Sequence, residues 1–217
     1  MNTASFTKTF DSGFSLELPA LKLPPGEVTA VIGANGSGKS TLARVLAGVE
    51  SPDRGSAPLK SVSVGYLPQR SFAFRMSVEK NIRLGGGDPQ RLRELMHALA
   101  LEPLRKRGAK RLSGGECARM ALARLLMGRY ALLILDEPCA AMDMELTLAA
   151  EELMRRRCAE EECAVLLVTH SLQQARRVSQ RTLFLQNGRL IEQGRSEVLL
   201  TEPRTPELRR FLDFYGA

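Results

Sequence analysis

Residue types that build zinc and disulfide sites are sparse in this sequence. Its 217 residues include two histidines and four cysteines. The cysteines are Cys117, Cys139, Cys158 and Cys163, and they form no CxxC pair. The pattern therefore indicates neither a zinc site nor a disulfide framework, and four free thiols fit a reducing compartment.

Long apolar runs are absent as well. The longest, Ala131–Leu135 and Ala164–Val168, are far shorter than the roughly 20 residues that a membrane-spanning helix needs. Residues Met1–Phe10 contain no apolar run of signal-peptide length. We therefore expect a cytoplasmic protein, which would serve a membrane only as a peripheral subunit on its inner face.

The charge of the chain is basic but dispersed. Its formal net charge is +7, from 31 basic and 24 acidic residues. Such a charge is compatible with a nucleic acid or an anionic membrane surface as partner. The basic residues are scattered, however, with only short clusters such as Arg105–Arg107 and Arg155–Arg157. A solvated arginine-rich surface is therefore favoured over a nucleic-acid patch, and we expect no nucleic-acid partner.

Short apolar runs alternate with helical patterns along most of the chain. Consecutive apolar residues are typical of strands that are buried on both faces of a parallel sheet, so an α/β fold is expected. The predicted strands are Val28–Ile32, Val62–Leu67, Leu132–Leu135, Val165–Thr169 and Thr182–Leu185. The predicted helices are Lys39–Ala47, Glu116–Met127, Leu146–Arg157 and Leu172–Val178.

Three segments depart from this alternation. Phe14–Leu18 alternates in polarity and predicts an antiparallel strand, and Asn187-Gly188 between apolar stretches predicts a hairpin. Residues 71–111 are poor in β-branched residues and predict a helical lobe inserted into the α/β core. We therefore expect one domain over 1–217, with its core in residues 1–70 and 112–217 and a final amphipathic helix near Tyr215.

The segment from Gly33 to Thr41 reads GANGSGKST and follows an apolar strand. Glycines allow the backbone to wrap around phosphates, and the start of the following helix adds partial positive charge. Lysine would reach the β- and γ-phosphates, and serine would bind magnesium. The candidate nucleotide-binding residues here are Gly33, Asn35, Gly36, Gly38, Lys39, Ser40 and Thr41.

A second candidate site lies at the end of the predicted strand Leu132–Leu135. Asp136 and Glu137 follow it directly, and ligands of open α/β sheets bind at the carboxyl ends of strands. Asp136 there can hold magnesium, and Glu137 can orient and deprotonate a water molecule in line with the γ-phosphate.

A third candidate is Leu112-Ser113-Gly114-Gly115-Glu116, which leads into a helix. Ser113 and Glu116 have the spacing of a capping box, which is enough to explain both residues. Gly114 and Gly115 lower helix propensity in the first turn, and a close approach of the backbone to a phosphate would account for them.

These motifs together resemble the nucleotide-binding subunits of ATP-binding cassette (ABC) transporters, over nearly the full length of the chain. The LSGGE segment is the family signature. The family pattern also places a glutamine after the next strand (Gln69), an aspartate after the carboxylate pair (Asp143), a histidine after a later strand (His170) and an aromatic before the phosphate loop. Phe10 lies 29 residues before Lys39 (39 − 10) and fits the last position.

Some of these assignments have simpler alternatives. Phe6 or Phe14 could stack on the base in place of Phe10, and Phe10 could be a core residue. Taken alone, His170 could be a capping or core histidine, and Gln69 any polar residue at the end of a strand. Their order and spacing favour the functional interpretation for Gln69 and His170.

The resemblance implies the fold and the site. The fold would be a P-loop NTPase (RecA-like) core with an antiparallel β edge and an inserted helical lobe. Two copies would form a head-to-tail homodimer that sandwiches ATP and Mg²⁺. In one subunit Ser40, Gln69 and Asp136 would hold the metal, while Ser113, Gly114, Gly115 and Asp143 would contribute to the nucleotide sites of the pair.

The resemblance also implies a reaction and partners. Glu137 would be the catalytic base of ATP hydrolysis, assisted by His170 and Gln69. The surface around Gln69–Met76 carries Phe72, Phe74 and Met76, which either pack inside the lobe or dock an integral membrane permease. An importer of a small solute with a solute-binding protein is expected. The alternatives are a cassette that serves an exporter or a cell-division complex, or a soluble ABC ATPase of the iron–sulfur assembly type.

Overall fold

The structure of the protein is a computed structural model, which describes residues 1–55, 59 and 62–215. The strands are β1 (Phe6–Thr9), β2 (Ser15–Leu18), β3 (Val28–Ile32), β4 (Arg54–Gly55), β5 (Val64–Leu67), β6 (Leu132–Asp136), β7 (Ala164–Val168), β8 (Arg181–Gln186) and β9 (Arg189–Arg195). The α-helices are α1 (Lys39–Leu46), α2 (Val78–Arg83), α3 (Pro89–Ala98), α4 (Gly114–Met127), α5 (Met144–Glu160), α6 (Leu172–Val178), α7 (Ser196–Leu199) and α8 (Pro206–Tyr215).

The nine strands form one sheet in the order β4-β1-β2-β9-β8-β3-β7-β6-β5. From β8 to β5 all neighbours are parallel, and β3, β6 and β7 are buried at every residue. Continuous apolar runs in a parallel sheet are buried on both faces, as the sequence predicts. The carboxyl ends of β3, β7, β6 and β5 therefore meet at one edge, where the chemistry-bearing motifs follow them.

The other end of the sheet is mostly antiparallel, although β2 pairs in parallel with β9. Strands β1 and β2 pair antiparallel with Phe6 opposite Leu18, and β8 and β9 form the predicted hairpin. Its turn residues Asn187 and Gly188 have φ angles of 49° and 75°, as a primed turn requires. The expected α/β fold with an antiparallel β edge is thus confirmed.

Helices cover both faces of the sheet. Helix α1 packs with Leu42 and Leu46 against one face, while α4 and α5 cover the other face through residues such as Leu126 and Met154. Helices α6, α7 and α8 complete that second side around Phe184. No helix within the described part of the chain is both long and apolar enough to cross a membrane.

Residues 71–111 contain α2, α3 and two short 3-10 turns, Glu102–Leu104 and Ala109–Arg111, but no strand of the sheet. The lobe packs on α4 through a shared apolar cluster that includes Ile82, Leu92 and Met120. A helical segment is therefore present where the sequence predicts it, and its core is continuous with the helix that follows the LSGGE segment.

Element ends differ by a few residues from the sequence-based prediction. The strand predicted over Val62–Leu67 begins at Val64, and the helix predicted over Leu146–Arg157 runs from Met144 to Glu160. The longer helix has a local cause, because the Asp143 side chain accepts a hydrogen bond of 2.9 Å from Leu146 N and caps its start.

Candidate functional site

The loop between β3 and α1 is shaped by its glycines. Gly33, Gly36 and Gly38 have φ angles of 150°, 78° and 103°, a region that side-chain-bearing residues rarely adopt. At Gly33 a β-carbon would also overlap the carbonyl oxygen of Leu185. Helix α1 begins after Gly38 without a side-chain cap, so its first-turn N–H groups remain available to an anion.

Two polar groups of this loop are buried. The Lys39 ammonium donates hydrogen bonds of 2.8 and 2.9 Å to the carbonyl oxygens of Gly33 and Ala34. Burial lowers the pKa of Lys39, against the opposing effect of Glu137 and Asp136. The Ser37 Oγ is buried without a hydrogen-bond partner among the described residues. A buried cation and unused donors are suited to bind phosphate.

The carboxylate of Asp136 lies at the end of β6 and is 2% exposed. It accepts one hydrogen bond, of 3.2 Å, from Ser40 Oγ, and burial raises its pKa. Because a buried carboxylate is costly without a counter-charge, this pair of oxygen ligands is suited to a hard cation.

The next residue, Glu137, has a φ angle of 54°, which is rare for a residue with a side chain. Such a backbone costs about 1–3 kcal/mol and persists where the surrounding structure enforces it. Here the Glu137 N–H donates a hydrogen bond of 3.0 Å to Val168 O at the end of the neighbouring β7. The strained turn directs Glu137 away from Asp136, towards the loop that follows β7.

That loop carries His170. Its Nδ1 lies 2.6 Å from Glu137 Oε2. The contact fits an imidazole that donates from Nδ1 to the carboxylate, and the His170 side chain is otherwise exposed. The structure thus brings together two residues that are 33 positions apart in sequence.

One open cavity of about 660 Å³ collects most of the predicted site. It is lined by the sequence-predicted residues Phe10, Asn35, Gly36, Gly38, Lys39, Ser40, Thr41, Gln69 and Glu137. Ser12, Phe14 and Arg44 line it too. Arg44 was missed by sequence reasoning, although it lies four residues after Ser40 and therefore on the same face of α1.

The three aromatic candidates for stacking on the base differ in their packing. Phe6 is 3% exposed in the core and lies outside the cavity. Phe10 and Phe14 both line it, with ring centroids 6.1 Å apart. Phe14 packs against the phosphate loop, since a β-carbon at Gly38 would lie 3.2 Å from its Cζ.

The LSGGE segment lies apart from this cavity, and neither it nor Asp143 contributes to its lining. The capping box is confirmed: Ser113 Oγ accepts from Glu116 N at 3.2 Å, and Ser113 N donates to the Glu116 carboxylate at 2.7 Å.

The two glycines of the segment differ. A β-carbon at Gly115 would overlap the carbonyl oxygen of Ala141, whereas at Gly114 it would meet no atom within 4 Å. The close contact with Ala141 O is a second explanation for Gly115, and the approach to a phosphate stays a prediction for both glycines. No described residue accounts for Gly114.

A glycine-rich phosphate loop between a parallel strand and a helix, with two carboxylates at the end of another strand, defines a P-loop nucleoside-triphosphate hydrolase. Comparison with known proteins narrows this class. The sequence model of the family described as "ABC transporter" matches residues 16–140. The chain belongs to this family, and it is an ATP-binding and ATP-hydrolysing domain of the ABC type.

Curated relatives match nearly the whole chain. The Fe(3+) ions import ATP-binding protein FbpC of Pseudomonas fluorescens is 34% identical over 226 residues, covering 94% of this chain and 64% of that protein. The L-cystine transport system ATP-binding protein TcyN of Escherichia coli is 33% identical over 223 residues, covering 89% of each. The chain thus spans less than two thirds of the first relative and most of the second.

Solved structures agree on the fold. A structure described as the ATP binding subunit of an ABC transporter has a TM-score of 0.84 at 23% identity, covering 100% of this chain and 99% of that one. The RNase-L Inhibitor has a TM-score of 0.82 at 28% identity, covering 99% of this chain and 42% of that one.

Proposed function

We propose that this chain is the ATPase subunit of an importer for a small solute and that it works as a head-to-tail homodimer. The proposal of a nucleotide site shared by two copies is supported by one observation: the nucleotide-binding motifs lie on two different surfaces of the chain. The phosphate loop lines the cavity with Phe10 and Glu137, while Ser113 and Gly114 are exposed elsewhere. A second copy that supplies its own Ser113–Gly115 segment would complete each cavity.

Within the cavity, the nucleotide would bind by contacts of different kinds. Phe10 is half-buried at the cavity wall and presents a ring for stacking on the base. The phosphate loop and Lys39 would hold the phosphates, with Thr41 at the start of α1. Asp143, which caps α5, would act at the subunit contact.

Magnesium would be held by Ser40, Asp136 and Gln69. The Ser40–Asp136 pair supplies two oxygen ligands within hydrogen-bond distance of each other, and Gln69 lines the same cavity. Oxygen ligands of this kind suit magnesium, which usually keeps water and substrate phosphate oxygens as its other ligands. The metal would neutralise charge on the phosphates.

In hydrolysis Glu137 acts as the base. Its side chain is 10% exposed and lies at the cavity wall, where it can accept a proton from a water molecule directed at the γ-phosphate. His170 orients this carboxylate through the 2.6 Å contact and presents its outer face to the γ-phosphate. Rate enhancement then comes from positioning and charge stabilisation.

A docking surface for the permease lies beside Gln69. Phe72 and Phe74 are 55% and 42% exposed and form an edge-to-face pair with centroids 5.0 Å apart. The alternative that all three apolar residues pack inside the lobe is therefore not supported, although Met76 is half-buried. We call Phe72 and Phe74 the aromatic pair.

The charge around the aromatic pair indicates which partner it suits. Lys110 Nζ lies 4.5 Å from the centre of the Phe72 ring, and Arg70 and Arg75 are exposed in the same loop. An apolar pair in a basic surround fits a short helix that presents apolar side chains and a carboxylate. We propose that a cytoplasmic segment of a membrane permease is this helix, which places the chain at the cytoplasmic face of the membrane.

The import assignment is supported by the names of the curated relatives, which include import proteins for Fe(3+) ions, thiamine and aliphatic sulfonates. These relatives differ in the solute that their names print. A solute-binding protein is the further partner that we expect for an importer. These names do not favour the alternative of a soluble ABC ATPase of the iron–sulfur assembly type, which is the second candidate.

The variant Glu137→Gln tests the catalytic assignment. We expect it to bind ATP, to form a stable dimer on size-exclusion chromatography and to lose at least ~100-fold in turnover, as for removal of a general base. The exposed carboxylate of Glu202 offers a matched control, and Glu202→Gln should retain turnover. Turnover of Glu137→Gln at the level of the parent protein would remove Glu137 from the role of base.

Dilution tests the shared site. If two copies complete each site, the rate of ATP hydrolysis by the isolated chain should rise with the square of the protein concentration when the protein is dilute. Strict proportionality down to nanomolar protein would contradict a shared site.

The partner is tested with ATP-bound Glu137→Gln as bait for detergent-extracted membranes, followed by mass spectrometry. Capture of a multi-span membrane protein that is lost with Phe74→Asp supports the permease. A soluble partner held equally by both baits would instead favour the second candidate.

A further inference from the structure

The loop that carries the aromatic pair is fixed from within by one buried side chain. Asn81 on α2 is fully buried. Its Oδ1 accepts a hydrogen bond of 2.9 Å from Phe74 N, and its Nδ2 donates to Phe74 O at 3.2 Å and to Ser77 O at 3.1 Å. Because the amide satisfies both the N–H and the C=O of Phe74, the loop is held in one conformation relative to α2.

A second residue connects this loop to α4, the helix that begins at the LSGGE segment. Arg124 on α4 donates from Nη2 to Phe72 O at 2.8 Å and from Nη1 to Asn81 Oδ1 at 3.3 Å. Its guanidinium also lies 5.2 Å from the centre of the Phe74 ring. One planar group thus contacts the aromatic pair and the amide that fixes it.

Arg124 has no carboxylate partner among the residues that the structure describes. Burial lowers its pKa, which indicates that the guanidinium is partly removed from water. A cation in this position is compensated only by the loop carbonyl, the Asn81 oxygen and the aromatic face. The loop and α4 therefore depend on each other for their arrangement.

Close backbone packing reinforces the connection. A β-carbon at Gly85, just after α2, would overlap the carbonyl oxygen of Arg124, so the end of α2 lies directly against α4. Arg119, also on α4, donates to Leu99 O at 2.6 Å and to Ala100 O at 3.0 Å at the end of α3. The loop, α2, α3 and α4 thus have the contacts expected of one rigid body.

The geometry of α4 sets the distance that such a body spans. Arg124 lies ten residues after Gly114 on one continuous helix (124 − 114). At 1.5 Å per residue, the backbone of Arg124 lies about 15 Å along the helix from the backbone of Gly114 in the LSGGE segment. A displacement at one end is transmitted to the other, because a helix this short does not bend without a kink.

We propose that Arg124 is a positioning residue that joins the aromatic pair to the LSGGE segment, so that closure of the dimer on ATP displaces the aromatic pair and its bound partner. This inference rests on the proposed function, because it assumes that Ser113–Gly115 closes on the nucleotide of a second copy. Arg124 lies outside the nucleotide cavity. Its removal should therefore separate ATP-driven closure from movement of the docking surface.

The absence of tryptophan allows a direct test. Phe72→Trp places a single indole on the exposed half of the aromatic pair. In the Glu137→Gln background, energy transfer from this indole to the fluorescent nucleotide mant-ATP, bound with Mg²⁺, should change as the dimer closes, because the rigid body that carries the indole moves relative to the phosphate loop. Light scattering measures dimer formation in the same samples, and thermal unfolding checks the fold.

Arg124→Gln removes the cation and the forked donor, and Arg93→Gln, at an exposed position on α3, is the control. We expect ATP-dependent dimer formation in both, an unaltered fluorescence response in Arg93→Gln, and at least a fivefold smaller response in Arg124→Gln. Arg124→Lys, which keeps the charge but cannot donate in two fixed directions, should also lose most of the response. It serves as the test if Arg124→Gln fails to fold.

The outcomes separate the two proposals. A full fluorescence response in folded Arg124→Gln or Arg124→Lys overturns the positioning role. So does a silent indole in the reference protein when light scattering shows ATP-dependent dimers. Failure of the reference protein to bind Mg-ATP or to dimerise overturns the proposed shared site, and this inference falls with it.

Discussion

The contrast between Gly114 and Gly115 gives a sharp test of the shared nucleotide site. Both residues lie in the first turn of α4. A methyl group at Gly114 meets no atom within 4 Å, and the residue has no positive φ angle. Replacement by alanine should therefore stabilise the isolated chain by about 0.4–1 kcal/mol, because alanine loses less backbone entropy on folding. For a chain of this size that is a rise in Tm of about 1–4 °C.

The same methyl group should nevertheless impair turnover. In the proposed dimer the N–H groups of this turn approach the γ-phosphate of the other subunit's ATP. A displacement of about 1 Å in such a site costs up to ~100-fold in rate. We therefore expect Gly114→Ala to lower kcat by about 10- to 100-fold while ATP still binds the phosphate loop.

Gly115→Ala is the matched control. Its methyl group overlaps Ala141 O, so the fold itself should lose about 1–3 kcal/mol. Differential scanning fluorimetry and steady-state ATPase assays on the two variants decide the matter. A Gly114→Ala protein with a raised Tm and full activity would refute the idea that this turn closes on a nucleotide. A lowered Tm would show that the chain needs this glycine for its own fold.

Two further predictions concern charged groups. Asp136 is a buried carboxylate with a raised pKa, and Ser40 is its hydrogen-bond partner, so Asp136→Asn should keep or raise the Tm without nucleotide. The variant should lose hydrolysis of Mg-ATP, and chelation of magnesium should impair the parent protein in the same way. An Asp136→Asn protein that still hydrolyses Mg-ATP would contradict the metal assignment. Arg105, followed by Arg83, lowers the pKa of Glu79 to about 2. The ion pairs of Glu79 therefore stabilise the folded chain fully above the ordinary glutamate pKa of about 4.3, and this stabilisation is lost as the pH falls towards 2. In thermal unfolding, the Tm difference between the parent and Glu79→Gln should shrink over that pH range. A constant difference would argue against these ion pairs.

The sequence predicted most of the architecture because its signals are local. Buried strands such as Leu132–Leu135 are continuous apolar runs, and the phosphate loop is recognisable from the spacing of its glycines and Lys39. The hairpin at Asn187-Gly188 and the cap at Ser113 depend on neighbouring residues only. For the same reason the ends of elements were less certain, since they depend on caps and on pairing with distant strands.

The sequence could not assign the base-stacking position among Phe6, Phe10 and Phe14, because spacing along the chain carries no information about packing. The tertiary structure excludes Phe6, which lies in the core, and uses Phe14 to support the loop at Gly38. It also revealed Arg44, whose position in the cavity depends on the direction of α1.

The amino-acid sequence by itself determined the class of chemistry. Each motif contains its hydrogen-bond donors, carboxylates or flexible glycines within a few consecutive residues, so it can be recognised without the fold. Only the tertiary structure decided how the motifs are grouped. Glu137 and His170 meet because β6 and β7 are neighbours and end at the same edge, whereas the LSGGE segment is placed on another surface by α4. The contacts of Arg124 with Phe72 and Asn81 were equally invisible in sequence, because they join residues 52 and 43 positions apart and arise from the packing of three elements around one guanidinium.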